Sequence, residues 1–171
     1  LLTLSQLAHA DSLDEQRSRY AQIKQAWDNR QMDVVDQLMP TLSTYPLYPY
    51  LQYRQITDDL MNQPALVVKN FIDANPTLPP ARSLRSRFVN ELARRSDWRG
   101  LLAFSPDKPT STEAQCNYYY AKLSVGQSQE AWSGAKALWL TGKNQPGACE
   151  PLFSAWRDSG LFAGPGARAR Q

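Results

Sequence analysis

Histidine occurs once in the 171 residues, at His9, and cysteine twice, at Cys116 and Cys149. His9 lies in a segment expected to be removed, which leaves the mature chain without an imidazole. Histidine-based triads, histidine zinc sites and a histidine general base are therefore excluded. No apolar run approaches the roughly 20 residues that span a bilayer, so no membrane span is expected. There is no stretch of alternating polarity that would make a strand. A glycine-rich phosphate loop, a Cys-x-x-Cys pair and a serine nucleophile elbow are all missing, and no cofactor is expected. Aromatics, in contrast, are plentiful. Five Trp, eight Tyr and five Phe are too much apolar surface to leave in water, which excludes a disordered chain. The length suits one modest domain that buries roughly 68–70% of its unfolded surface.

The first residues differ from the rest. Leu1-Leu2-Thr3-Leu4-Ser5-Gln6-Leu7 is apolar and uncharged, Ala8-His9-Ala10 follows, and the sequence then turns polar at Asp11-Ser12-Leu13-Asp14-Glu15. This is the pattern of the back half of a secretory signal peptide, with cleavage expected after Ala10. A frayed helical N-terminus is the alternative. With no initiator Met and no basic segment ahead of the apolar run, the sequence is expected to begin inside a precursor. An exported, soluble protein follows from this reading.

Helical periodicity dominates everything downstream. Leu13, Tyr20, Ile23 and Trp27 form one stripe from about Ser12 to Asn29, with Ser12 and Glu15 as a capping box. Further helices are expected over about 31–39, from Tyr45-Pro46 toward Leu60, from Pro64 to Asn75-Pro76, and from Pro79-Pro80 with Ala81, Leu84, Phe88 and Leu92 inward. A short one starts at Asp97, one capped by Thr110 with Glu113 closes at Gly126, one carries Trp132, Ala135, Leu138 and Trp139, and a last runs from Pro146 to Gly160. Tyr20-Ala21-Gln22-Ile23-Lys24 echoes Tyr120-Ala121-Lys122-Leu123-Ser124, each followed by a turn and a second amphipathic helix. Pairs of about 30–35 residues lie in the range of tetratricopeptide-like repeats. The expected fold is all-α, an α-solenoid or superhelix of short antiparallel helix hairpins, with a compact helical bundle as the alternative. The domain boundaries read as a signal-peptide remnant at 1–10, a helical domain over 11–160, and an irregular basic tail over 161–171 outside the fold.

Cys116 opens the stripe Cys116, Tyr119, Tyr120, Leu123, and Cys149 opens Cys149, Leu152, Phe153, Trp156. With one helix between them, the two helices run parallel as neighbours and a disulfide is geometrically open to them. Two buried free thiols are the alternative.

Six of the thirteen arginines, Arg82, Arg85, Arg87, Arg94, Arg95 and Arg99, fall within 18 residues; set against Glu91 and Asp97 they leave that stretch at +4, so the rest of the chain is −1 within the total of +3. A contact surface for an anionic polymer, nucleic acid or a charged glycan, is one reading, with Arg82, Arg85, Arg87 and Arg94 as candidates. Two solvated flanks of an amphipathic helix, with Glu91 between Arg87 and Arg94, is the other, and export argues against nucleic acid. Tyr45, Tyr48, Tyr50 and Tyr53, with Tyr118, Tyr119 and Tyr120, offer either stacking faces for sugar rings or inter-helix packing, the second being preferred. Glu15, Glu91, Glu113, Glu130 and Glu150 each read as caps or exposed positions, and Asp58-Asp59 as a solvated helix end. No catalytic or metal-binding residue is nominated.

Three stretches carry a resemblance: Tyr45-Pro46-Leu47-Tyr48-Pro49-Tyr50-Leu51-Gln52-Tyr53-Arg54-Gln55, the run from Asn75-Pro76-Thr77-Leu78-Pro79-Pro80 through Arg99-Gly100-Leu101-Leu102-Ala103-Phe104, and Ala114-Gln115-Cys116-Asn117-Tyr118-Tyr119-Tyr120-Ala121. In these the sequence closely resembles the N-terminal part of the periplasmic soluble lytic transglycosylases of enteric bacteria, over about Asp11 to Gly160. The resemblance implies a periplasmic protein, a superhelix of short helices forming part of a ring, and a lysozyme-like catalytic domain at the far C-terminus. It also implies cleavage of the MurNAc–GlcNAc β-1,4 bond of peptidoglycan without water, one glutamic acid serving as acid and then base. The family's Glu-Ser pair, Gly-Leu-Met-Gln and Asn-Ala-Gly-Pro-Gly have no counterpart in 11–160, and Ala163-Gly164-Pro165-Gly166 echoes only part of the last. The expectation is a structural, substrate-guiding portion not competent alone, with peptidoglycan and other cell-wall enzymes as partners; the family continues into further helices beyond Gly160, and a truncated or frameshifted end is the other reading of the Arg/Ala/Gly tail. A tetratricopeptide-like periplasmic adaptor for a protein or peptide is the alternative.

Overall fold

Ser12 starts the first helix by the means its sequence suggests. Its hydroxyl accepts a hydrogen bond from the Glu15 amide at 3.1 Å, and Asp14 and Glu15 sit in the positive end of the helix dipole. The computed structural model describes residues 12–141 and 145–162. The expected leader at 1–10 with its cleavage point and the tail from 163 onward lie outside these residues. Among them the structure is all-α, with nine α-helices and no strand: α1 (Leu13–Asp28), α2 (Met32–Leu38), α3 (Tyr48–Asp58), α4 (Ala65–Ala74), α5 (Pro79–Arg94), α6 (Trp98–Phe104), α7 (Thr112–Ser124), α8 (Ser128–Trp139) and α9 (Glu150–Asp158). Short 3-10 turns occupy Met39–Leu42, Leu60–Asn62 and Gly147–Cys149.

The chain divides into two compact units between Gln55 and Ile56, within α3. In the first, α1, α2, the turn after α2 and the start of α3 enclose Ile23, Trp27, Val35, Leu42, Tyr45 and Leu51. The Arg54 guanidinium lies 4.9 Å from the centre of the Trp27 ring and donates to Asp28 at 2.8 Å, so a cation–π contact and an ion pair tie α3 to the end of α1. Tyr45 is buried against Tyr20, which is why α3 starts at Tyr48 rather than at Tyr45: the chain turns to seat this ring before the helix begins.

In the second unit helices pack on their nearest and mostly also on their next-nearest neighbours: α4 on α5 and α6, α5 on α6 and α7, α6 on α7, α7 on α8 and α9, α8 on α9. This nearest and next-nearest pattern is that of a solenoid of helical hairpins; a closed bundle would also bring first and last helices together. Of the stripes read from the sequence, Ile23, Trp27, Leu84, Phe88, Leu92, Ala135, Leu138 and Leu152 are buried. Leu13 is exposed, and α7 buries Ala114, Tyr118 and Ala121 beside Cys116 while Tyr119, Tyr120 and Leu123 are half-buried.

Three helices end in the same turn. After α1, α5 and α7 the residue beyond the cap takes a left-handed conformation, at Arg30 (φ 58°), Ser96 (φ 56°) and Gly126 (φ 89°). The next amide then reaches back to the third-last helical carbonyl: Gln31 to Ala26 at 2.8 Å, Asp97 to Leu92 at 2.9 Å, and Gln127 to Lys122 at 2.8 Å. The echo between Tyr20 and Tyr120 is thus a repeat of helix plus Schellman turn, with α5 as a further copy that lacks the sequence likeness.

Further expected boundaries shift; the last helix starts at Glu150, after a 3-10 turn, rather than at Pro146. Ser111, not Thr110, caps α7, its hydroxyl accepting from the Ala114 amide at 3.2 Å. The Gln115 side chain donates to the carbonyls of Pro109 at 3.0 Å and Thr110 at 3.3 Å, which holds Thr110 outside the helix. The packed sequence also runs past Gly160. Phe162, expected outside the fold, sets its ring edge-on to Trp156 (4.7 Å) and Trp139 (5.1 Å).

Candidate functional site

The arginine-rich α5 and its neighbours hold the candidate contact residues. Buried Leu84, Phe88 and Leu92 fix which way the helix faces, and its arginines separate into distinct environments. Arg94 closes on Glu91, with Nε at 3.0 Å and Nη2 at 2.6 Å from the carboxylate. Arg87 lies on an exposed face of the same helix. Arg82 and Arg85 instead line a groove of about 600 Å3, together with Ile72, Asn75 and Pro76 from the end of α4 and Thr110 from the loop before α7. The structure therefore brings Arg82 and Arg85 together and places Arg94 in an ion pair; the four candidates do not form one patch.

Arg95 has a role that no local pattern reveals. Its guanidinium donates to the carbonyls of Leu60 at 3.0 Å and Gln63 at 3.1 Å, reaches Glu91 at 3.4 Å, and lies over the Phe88 ring at 5.3 Å. One side chain thereby ties the end of α5 to the turn that precedes α4.

Hydrogen bonds from Arg94 hold the Glu91 carboxyl below its ordinary range, against the opposing effect of partial burial, and Arg95 adds to the lowering. A carboxyl lowered on folding contributes stability that is complete above its unfolded pKa and lost as pH falls through the folded one. Acid titration of stability should thus lose part of its slope below the ordinary carboxylate pKa in Glu91→Gln, measured by urea denaturation at stepped pH. An unchanged slope would show that this triad does not contribute.

Of the candidate tyrosines, Tyr45, Tyr118, Tyr119 and Tyr120 pack against other rings, whereas Tyr50 is exposed. Tyr118 is buried and donates its hydroxyl to the Pro106 carbonyl at 3.2 Å, Tyr119 lies edge-on to it at 5.1 Å, and Tyr120 lies edge-on to Trp98 at 5.0 Å. A smaller groove of about 320 Å3 opens beside them, with Lys108, Glu130 and Ser133 at its rim. Lys122 and Glu130 pair at 3.0 Å, so this rim is already neutralised in part. Tyr119 fits against α8 only because position 134 has no side chain: a Cβ there would lie 2.4 Å from its ring. Gly134→Ala is therefore expected to destabilise by about 1–3 kcal/mol through overpacking, although Gly to Ala in an open helix gains up to about 1 kcal/mol. The sign of the change in thermal midpoint decides between the two.

Other carboxylates singled out in the sequence occupy ion pairs or helix ends. Glu150 pairs with Arg157, Asp59 accepts from the Asn62 amide at 2.8 Å, and Glu15 and Glu113 occupy exposed first turns. Among the described residues no group of three His, Cys, Asp or Glu is placed to hold a metal ion, and no helix is long and apolar enough to cross a membrane.

Cys116 and Cys149 are fully buried and bonded, with sulfurs 2.01 Å and Cα atoms 4.9 Å apart. The bridge joins α7 to the turn that starts α9, amid Ala135, Leu138, Leu152, Phe153 and Trp156. Neither thiol is available as a nucleophile.

No protein-family model matches the chain. Over 160 residues, 94% of its length, it is 79% identical to the soluble lytic murein transglycosylase of Escherichia coli K12, and 76% identical to that of Salmonella typhimurium LT2. The chain is homologous to a segment of the soluble lytic murein transglycosylases. It spans about a quarter of the length of these relatives (25%). The crystal structure of the 70 kDa soluble lytic transglycosylase from E. coli superposes with a TM-score of 0.86 at 81% identity, over 88% of this chain and 24% of that one. An inactive mutant of the lytic transglycosylase from Pseudomonas aeruginosa superposes with a TM-score of 0.76 at 32% identity, over 85% of this chain and 24% of that one. The helical fold is thus shared with a segment of a lytic transglycosylase that differs from this chain at about two-thirds of the aligned positions.

Proposed function

We propose that this chain is the helical, substrate-guiding portion of a periplasmic soluble lytic transglycosylase and is not catalytic alone. The whole enzyme would cleave the MurNAc–GlcNAc β-1,4 bond of peptidoglycan and leave 1,6-anhydromuropeptides. The observation that carries this reading is the 79% identity over 160 residues to a murein transglycosylase, together with the same helical fold. The similarity supports it over a tetratricopeptide-like adaptor. A disulfide supports an oxidising compartment such as the periplasm, in line with a leader cleaved after Ala10. Residues 11–160 would form the helical region, and a catalytic acid would have to come from sequence outside it.

Purified murein sacculi test both halves of the reading. The 171-residue chain is expected to sediment with sacculi and to release no soluble muropeptide. Release of anhydromuropeptides would overturn the non-catalytic assignment, and failure to sediment would overturn the guiding role.

A further inference from the structure

The groove beside α5 has a volume of about 600 Å3, within the roughly 300–1,000 Å3 typical of ligand clefts. One wall is apolar, made by Ile72, Pro76 and Ala81. The other presents Arg82 and Arg85, one helical turn apart, a spacing that sets their Cβ atoms about 5–6 Å from each other. Both arginines are exposed, and neither has a carboxylate within ion-pair reach among the described residues. Asp73, the carboxylate in the lining, is held by Lys69.

Two uncharged groups complete the site. The Asn75 amide nitrogen donates to the Phe71 carbonyl at 2.8 Å, which orients the side chain and leaves its oxygen as an acceptor. Thr110 has its carbonyl engaged by Gln115 and its hydroxyl without a partner among the described residues. The groove therefore offers two guanidiniums that match a carboxylate bidentately, an acceptor and a hydroxyl that match a peptide unit, and an apolar wall for small side chains. Among the described residues its lining holds no aromatic ring, so they offer no stacking face of the kind that suits an uncharged pyranose.

We infer that Arg82 and Arg85 form a subsite for the free carboxylates of murein's peptide stems rather than for its glycan. This rests on the murein-binding reading above and names the part of murein that is held. The stems carry several carboxylates and small side chains on a short extended chain, the chemistry the groove complements. Arg94, whose charge is met by Glu91, takes no part.

The test compares the chain with the double variant Arg82→Gln/Arg85→Gln on four probes: intact sacculi, sacculi stripped of peptide by an amidase, and, by NMR titration, the isolated stem tetrapeptide and an acidic peptide of ordinary protein composition. Both arginines are exposed, so the variant should melt like the parent, and Arg82→Lys/Arg85→Lys checks for charge without the guanidinium fork. We expect the Gln variant to bind intact sacculi and tetrapeptide at least 10-fold more weakly, the Lys variant to fall between, and stripped sacculi to bind both chains equally poorly. Undiminished binding by the Gln variant, or full binding to stripped sacculi, would overturn the peptide subsite and leave the murein reading standing. If the parent bound no murein probe, the murein reading itself would fall. Equal affinity for an acidic peptide of ordinary protein composition would overturn the assignment to stems.

Discussion

Replacing Cys116 and Cys149 together by alanine should destabilise the second unit by about 3.7 kcal/mol, the loop-closure entropy of a 33-residue loop. For a chain of this size that corresponds to a fall in thermal midpoint of about 7–15 °C. Alanine is the right replacement because both sulfurs are fully buried among apolar side chains, where a serine hydroxyl would lack a partner. The bridge joins α7 to the start of α9, and α9 otherwise holds its place through Leu152, Phe153 and Trp156. Amide exchange should therefore rise first in α9 and the end of α8, with α1 and α2 unaffected. Reducing the unaltered protein should reproduce the shift. A midpoint within about 2 °C of the oxidised protein, less than a 1 kcal/mol effect, would show that apolar packing alone fixes α9.

Local features made most helices legible. Ser12 and Asp97 cap as their sequence suggests, because a side chain three residues from an amide is a local matter. The cysteines were legible for a related reason: each stands at the head of an apolar stripe, which places both sulfurs in one layer. What the chain does over longer separations left no such trace. The choice of Ser111 over Thr110 depends on Gln115 holding two carbonyls in the preceding loop. The division at Gln55 falls inside a continuous helix, where no change of composition marks it.

The candidate site was legible only as a cluster of charge. Arg82, Arg85, Arg87 and Arg94 share a helix, but their fates are set by what faces them: Glu91 from within the helix for Arg94, and the α4 end with the Thr110 loop for Arg82 and Arg85. Arg95 is one of the six clustered arginines in the sequence, yet its partners at Leu60 and Gln63 lie more than thirty residues upstream. A sequence shows that an arginine is present and which helix face carries it. It does not show which carbonyls a distant turn leaves open.

Phe88→Ala should be the most damaging single change in the second unit, at about 3–5 kcal/mol for a fully buried phenylalanine. Its ring lies edge-on to Phe104 at 4.8 Å and also forms the platform under the Arg95 guanidinium. Removing it opens a cavity between α5 and α6 and takes away the surface that holds Arg95 toward Leu60 and Gln63. Arg95→Met keeps the apolar stem and deletes the charge-assisted hydrogen bonds, a loss of about 1.5–3 kcal/mol. The two effects should not add. In Phe88→Ala the guanidinium has already lost its seat, so adding Arg95→Met should do less harm than it does in the parent. A double-mutant cycle by urea denaturation is expected to give a coupling of about 0.5–2 kcal/mol, in line with a cation–π contact and its positional consequence. Additivity within about 0.3–0.5 kcal/mol, as found for independent sites, would mean that the carbonyls of Leu60 and Gln63 alone position Arg95. The staple between α5 and the turn before α4 would then not depend on the core beneath it.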